Sequence, residues 1–333
     1  MNPNDAAAYN TRATARYELR DYAGVIADGA KAIQINPQDA LAHSFRGLAN
    51  QRLKNYDDAL ADFNQAVELD SQYAPYYVNR GWIKFDLRDF DGAIADCNQA
   101  IELNANDAGA YDARGAAKRL LKDFDGAMAD FNRAIEMDPK NALAYSYRGL
   151  GKDYLKDYDG AVADCSKAIE LDPQNARGYE NLGLVQNDLL QFQPALESFR
   201  KSVKLDPLLD YSRLRIWLLR ARLGEPADAT RELAEHEKSI QGARANDWPA
   251  RIGQFLTGAM TEDDFLNLAK TSARNPKGQS VQFCQANYYA GMKHLLAGDK
   301  EGATALFKKC LGTGEKGCPE YNSATMELNA LKK

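Results

Sequence analysis

Three histidines, five cysteines and one Ser-x-x-Lys quartet are the residues of this 333-residue chain that could carry covalent or acid–base chemistry. Their spacing supports little of it. His43, His236 and His294 are scattered, and no HExxH, CxxC or Cys/His cluster has the spacing of metal ligands. Ser198-Phe199-Arg200-Lys201 matches the letters of a nucleophile motif without its companion motifs. Gly149-Leu150-Gly151-Lys152 lacks the earlier glycine that a phosphate-binding loop requires. The expectation is a non-enzyme with no catalytic residue, no metal and no cofactor. A more regular pattern is ionic. Arg12, Arg46, Arg80, Arg114 and Arg148 recur with Asp28, Asp62, Asp96, Asp130 and Asp164 at a constant offset. Either these form a ladder of ion pairs between neighbouring helices, or the arginines form an anion-binding row. The elements that position them decide which.

Composition sets the outer bounds. The chain is 45% apolar and 27% charged, too apolar for disorder. With 42 basic and 47 acidic residues its formal net charge is −5. That balance argues against a dedicated nucleic-acid surface, which needs clustered Lys and Arg to displace counterions. No apolar run approaches the ~20 residues of a membrane span. No apolar segment follows Met1 either, so no signal peptide is visible.

The elements come from a period of 34 residues. Blocks start at Ala6, Ala40, Ala74, Ala108, Ala142 and Ala176, with a weaker one at Asp210. A fixed period in this range means a solenoid. Each block holds two helical patterns and a short turn, as in Ala142 to Lys156 and Tyr158 to Leu171, and Asp172-Pro173 then stops the helix. Gly47, Gly81, Gly115, Gly149 and Gly183 share a slot where the two helices approach closely, met by Ala59, Ala93, Ala127, Ala161 and Ala195. Ala32, Ala66, Ala100, Ala134 and Ala168 permit stacking on the next hairpin. One hairpin cannot cover its own apolar face, so neighbours must stack.

Tyr145, Gly149, Tyr158, Ala161, Ala168 and Pro173 stand at positions 4, 8, 17, 20, 27 and 32 of a block, and on these residues the chain resembles the tetratricopeptide repeat (TPR) family. The resemblance implies an all-α fold, a right-handed superhelical solenoid of antiparallel helix hairpins, here with a divergent C-terminal helical cap. The family usually has an apolar residue at position 7, where this chain carries the five arginines; in the sixth block Arg and Asp vanish together, to Leu182 and Ser198. That joint loss favours the ladder.

Residues 6–209 hold six regular hairpins and 210–243 a degenerate seventh, with Trp217 in the glycine slot and Pro226 in the aromatic slot. A tryptophan there should splay the hairpin. Residues 244–283 read as an irregular helical insertion, with Asn246-Asp247-Trp248-Pro249 and Thr261-Glu262-Asp263-Asp264 opening short helices and Lys270 to Gly278 a polar loop. Residues 284–333 return to register through Gly291, Gly298-Asp299, Ala303, Phe307 and Cys310, as an eighth hairpin closed by an amphipathic helix from Pro319 to Leu331. Asn287-Tyr288-Tyr289-Ala290-Gly291, Leu295-Leu296-Ala297-Gly298-Asp299 and Pro319-Glu320-Tyr321 resemble the tail of NlpI-type bacterial lipoproteins. That resemblance implies a cell-envelope adaptor for other proteins, periplasmic or membrane-anchored, and a homodimer. Pro3 stands in the slot that closes a repeat, so Met1 is read as the start of a shortened protein whose signal or lipid anchor preceded it; a cytoplasmic setting stays open.

In TPR proteins the first helices line the concave face through positions 2, 5, 6, 9, 12 and 13. The resemblance therefore places Tyr17, Phe45, Arg52, Asn79, Trp82, Phe85, Arg119, Tyr147, Tyr154 and Asn181 in a peptide-binding groove. Aromatics with Arg suit recognition of protein or peptide segments. The bland alternative is that several of them pack between first helices. The Lys and Asn clamp with which chaperone-binding members grip an EEVD carboxylate is absent from positions 5 and 9. Cys97 and Cys165 replace Phe at position 24 as small core residues. Cys284 and Cys310 lie near the open ends of one hairpin and are the candidate disulfide, in an oxidising compartment, with Cys318 as competitor. The expected function is a non-catalytic scaffold that binds partner polypeptides. The alternative is the targeting module of a longer enzyme.

Overall fold

Most hairpins begin where a short polar side chain closes a helix N-terminus; the third and seventh, capped by Tyr73 and Leu209, do not. Asp39 accepts from the Ala42 amide, Asp107 from Ala110 and Asn141 from Ala144, while Asp21, Asp89, Asp123 and Asp157 do the same for Gly24, Gly92, Gly126 and Gly160. First helices end where one residue turns left-handed: Arg20, Lys54, Arg88, Lys122, Lys156 and Leu190 have φ between 60° and 69°. Glycine is the usual occupant of such a turn. Gly224 and Gly298 hold the same slot in the two later hairpins.

The structure, a computed structural model, describes residues 4–239, 246–273, 276–316 and 318–332. Among these there are nineteen α-helices and no strand. The chain divides into two compact units, residues 1–139 and 140–333. The division falls inside the regular array, not at its decay after Pro207. Unit 1 contains α1 (Ala6–Glu18), α2 (Tyr22–Ile35), α3 (Ala40–Arg52), α4 (Tyr56–Leu69), α5 (Ala74–Asp86), α6 (Phe90–Leu103), α7 (Ala108–Leu120) and α8 (Phe124–Met137). Unit 2 continues with α9 (Ala142–Tyr154), α10 (Tyr158–Leu171), α11 (Ala176–Asp188), α12 (Phe192–Leu205), α13 (Asp210–Arg222) and α14 (Pro226–Ser239). Its tail is α15 (Trp248–Thr257), α16 (Glu262–Thr271), α17 (Pro276–Leu296), α18 (Lys300–Gly312) and α19 (Pro319–Leu331).

The polar loop expected from Lys270 to Gly278 is shorter at both ends, since α16 runs through Lys270 to Thr271. Helix α17 starts at Pro276, eight residues ahead of Cys284, so Pro276 to Gly278 are helical; Arg274 and Asn275 lie outside the described residues. Proline is tolerated in a first turn because its missing amide is unbonded there in any case. The glycine slot also works differently from the sequence reading. A Cβ on Gly115 would lie 2.8 Å from Phe131, so the side chain at position 24, more than the alanine at position 20, fills the space that glycine leaves. Trp217 is buried in the same slot of the seventh hairpin and its indole donates to Thr230 Oγ1 at 3.1 Å.

The arginines and aspartates do form a ladder, and each rung lies within one hairpin. In unit 1 Arg12 meets Asp28 at 2.5 Å, Arg46 meets Asp62 at 2.7 Å, Arg80 meets Asp96 at 2.6 Å and Arg114 meets Asp130 at 2.7 Å. In unit 2 Arg148 meets Asp164 at 2.8 Å. Every aspartate is buried and every rung is bidentate through Nε and Nη2. A second cation one turn along completes four rungs: Arg16 at 2.9 Å, and Lys84, Lys118 and Lys152 at 2.8 Å. In the second hairpin that place is Asn50, and His43 Nδ1 approaches Asp62 at 3.2 Å instead. Elsewhere the guanidinium lies over a tyrosine, as Arg114 does over Tyr111 at 5.2 Å. Burial alone would raise Asp164, but the bonds from Arg148 and Lys152 outweigh it and hold the carboxyl below its ordinary value. In the sixth hairpin the charged set becomes neutral: Ser198 donates to Gln186 Oε1 at 2.7 Å beside Leu182.

That natural replacement predicts a test. Asp130→Ser alone leaves two cations around an empty carboxylate site and should lower the unfolding free energy by about 2–4 kcal/mol. Arg114→Leu/Lys118→Gln/Asp130→Ser, which copies the sixth hairpin, should return to within about 1 kcal/mol of wild type. Urea unfolding of the full chain measures both; a triple variant no more stable than the single would contradict the neutral-for-charged equivalence.

Candidate protein-binding face

The first helices of unit 1 present a mixed aromatic and polar face. Arg52 at the end of α3 is exposed, and its Nε donates to the Tyr17 hydroxyl of α1 at 2.8 Å. Its guanidinium lies 5.8 Å from the Tyr17 ring centre. Tyr17 in turn meets Tyr22 edge-on at 5.6 Å. Phe45 is half-buried against Ala13, Val25 and Ala49. On α5, Trp82 and Phe85 pack edge-to-face at 5.6 Å and both are half-buried, with Trp82 resting on Val78 and Ala100. Asn79 and Arg119 are also half-buried. Most of these side chains therefore combine inter-helix packing with a remaining accessible edge, and Arg52 is solvent-exposed while bonded to Tyr17.

Unit 2 places its candidates differently. Tyr147 is 8% exposed and Asn181 6%, so both belong to the packed interior. Asn181 Nδ2 donates to Ser146 Oγ at 2.7 Å, which links α11 to α9. These two residues are corrected from face to core: position 6 points at the neighbouring first helix once the hairpins stack. Tyr154 is half-buried, and burial, with Tyr321 of α19 adding to it, pushes its phenol up.

Tyr321 signals the main feature that sequence reasoning missed. Helix α19 packs on α11, α17 and α18, and so covers part of the first-helix face of unit 2. Arg215 on α13, 3% exposed, donates to Glu320 Oε1 at 3.0 Å, to Ser323 Oγ at 3.1 Å and to the Tyr288 hydroxyl at 3.4 Å. One further turn pair along, Arg222 meets Glu327 at 2.6 Å. Burial alone would raise Glu320, but Arg215 and the bonds from Cys318 and Gln285 hold it below its ordinary value. A signal for this docking exists in the chain: Arg215 and Arg222 are seven residues apart, and so are Glu320 and Glu327. Equal spacing of opposite charges matches two helix faces over two turns.

Cys284 and Cys310 are brought together, their sulfurs 2.7 Å apart, with Cys318 beside them; all five cysteines are buried free thiols. Burial pushes the Cys97 thiol up to about 12. Among the described residues no group of His, Cys, Asp and Glu is arranged to hold a metal, and no helix is long and apolar enough to cross a membrane.

Under α19, Asp188 is pushed up to about 6, chiefly by burial, with Arg215 opposing and Glu327 adding to the rise. A carboxyl whose folded value lies above its unfolded 3.8 binds more protons folded than unfolded between the two. Its ionisation therefore removes stability as pH rises from about 4 to about 6. Asp188→Asn should raise stability at pH 7 by about 1–3 kcal/mol and flatten this limb of the profile. Urea midpoints across pH check it, and a variant less stable than wild type at pH 7 would contradict it.

Comparison with known proteins follows the same geometry. Residues 40–73, and residues 74–107 and 108–141, match sequence models of the tetratricopeptide repeat, and residues 154–189 match a further TPR repeat model. Among solved structures, a tetratricopeptide repeat protein from Parabacteroides merdae is 15% identical, with 76% of this chain and 97% of that one covered at a TM-score of 0.56. The Cut9–Hcn1 hetero-tetramer of the APC/C matches at 16% identity and a TM-score of 0.60, over 74% of this chain and 49% of that one. At these identities the likeness is one of fold.

Proposed function

From the premise that this chain carries tetratricopeptide repeats, we propose that it is a non-catalytic scaffold that binds partner polypeptides on the first-helix face of unit 1. TPR proteins typically mediate protein–protein interactions. The observation that carries the reading here is the contrast between the two units. The face of unit 2 is partly occupied by the chain's own α19, whereas on unit 1 Arg52 stands exposed beside accessible aromatic edges at Tyr17, Phe45, Trp82 and Phe85. Aromatic and Arg side chains supply most of the binding energy at protein interfaces. An extended or helical segment with apolar anchors and an acidic group opposite Arg52 is the partner this face suits.

The finer part of the proposal is a setting in the bacterial cell envelope, as an NlpI-like adaptor and as a homodimer. It rests on the tail motifs around Asn287–Gly291 and Pro319–Tyr321.

Selection from a displayed peptide library with the full chain should enrich such segments. Arg52→Ala/Trp82→Ala should keep the helical circular dichroism signal and weaken the best of them by at least about tenfold, the loss of one interface hot spot. Equal affinity for a folded double variant would place binding elsewhere.

A further inference from the structure

Three of the five cysteines converge at one point of unit 2. Cys284 on α17 and Cys310 on α18 are fully buried, and Cys318, 5% exposed, is the residue that starts α19. The Cys284 and Cys310 sulfurs face each other at 2.7 Å across the antiparallel hairpin. Cys318 lies in hydrogen-bond reach of Cys284 and donates its thiol hydrogen to Glu320 Oε2 at 2.9 Å. Glu320 is the carboxylate that docks α19 on Arg215. Thiolates that share one zinc at about 2.3 Å each stand nearly 4 Å apart in a tetrahedral shell. The close Cys284–Cys310 approach therefore suits bond formation between the sulfurs better than shared coordination.

We infer that Cys284, Cys310 and Cys318 form an oxidation site for low-molecular-weight disulfides, in which Cys318 receives the oxidising equivalent and the Cys284–Cys310 bond is the product. The sequence balances in three exchanges. The Cys318 thiolate attacks the small disulfide, forming a mixed disulfide and releasing one small thiol. Cys284 then attacks the Cys318 sulfur and expels the second small thiol. Cys310 attacks the Cys284 sulfur, and Cys318 leaves as thiolate, takes up a proton and returns to Glu320. Two protein thiols are oxidised for one small disulfide reduced to two thiols. The product joins α17 to α18 beneath α19 while the Arg215–Glu320 contact persists. The reaction is slow at neutral pH and quickens as pH rises, because the thiolate is the nucleophile. Cys284 is held above its ordinary value by its bond to Cys310 and by burial, and Cys318 is held well above it by its contact with Cys284 and by burial.

The test exposes the folded full chain to oxidised glutathione, then denatures it, alkylates it and maps disulfides by mass spectrometry. The expected product carries a Cys284–Cys310 link, with Cys97, Cys165 and Cys318 alkylated. Cys318→Ser, which places a favoured capping residue at that start of helix, should form the same link about tenfold more slowly for lack of its relay thiol. Five alkylated cysteines after prolonged exposure, a final bond that contains Cys318, or an unchanged rate in Cys318→Ser would each overturn the inference.

Discussion

The structure depends on a buried aspartate in the second helix of five of the six regular hairpins, gripped from the first helix by an arginine. The carboxylates of Asp28, Asp62, Asp96, Asp130 and Asp164 are withdrawn from water, and leaving any of them without its partner would cost several kcal/mol. Two helices joined by only three residues could slide along each other where a glycine of the first meets an apolar Phe or Cys of the second. A bidentate Arg–Asp bond admits one register only. The cation–tyrosine contact above Arg12, Arg80, Arg114 and Arg148 then ties the same guanidinium to the start of its own helix. Much of the chain's acidity is thus a property of the scaffold.

What was legible in the sequence follows from how local each interaction is. The Arg–Asp rungs span sixteen residues, repeat five times and fail together at Leu182 and Ser198, so pattern alone located them. Most helix boundaries of the regular array were legible for the same reason, since Asp, Asn and Pro recur at many of them. The start of α17 was not. Pro276-Lys277-Gly278 has loop composition, and only a proline's tolerance in a first turn lets it open a helix. Position 6 misled as well: Tyr147 and Asn181 share a motif slot with Phe45 and Asn79, yet stacking buries the first two and leaves the others half-accessible. Burial at such a slot depends on the neighbouring side chain, which a family motif does not specify.

The docking of α19 lay furthest from reach, because its contacts join residues about 105 positions apart. Two arginines meeting two glutamates with matched spacing hold α19 against α11, and the half-buried Asp188 at the end of α11 is pushed up to about 6. The two units consequently offer different faces: one capped by its own chain, one carrying an exposed arginine among aromatic edges.

Hydrogen–deuterium exchange of the full chain, with and without a saturating selected peptide, tests the central claim most directly. New protection confined to the first helices of unit 1, α1, α3 and α5 above all, with α19 and α13 unchanged, is the predicted result. Protection on the second helices, or faster exchange in α19 as the peptide displaces it, would contradict the account.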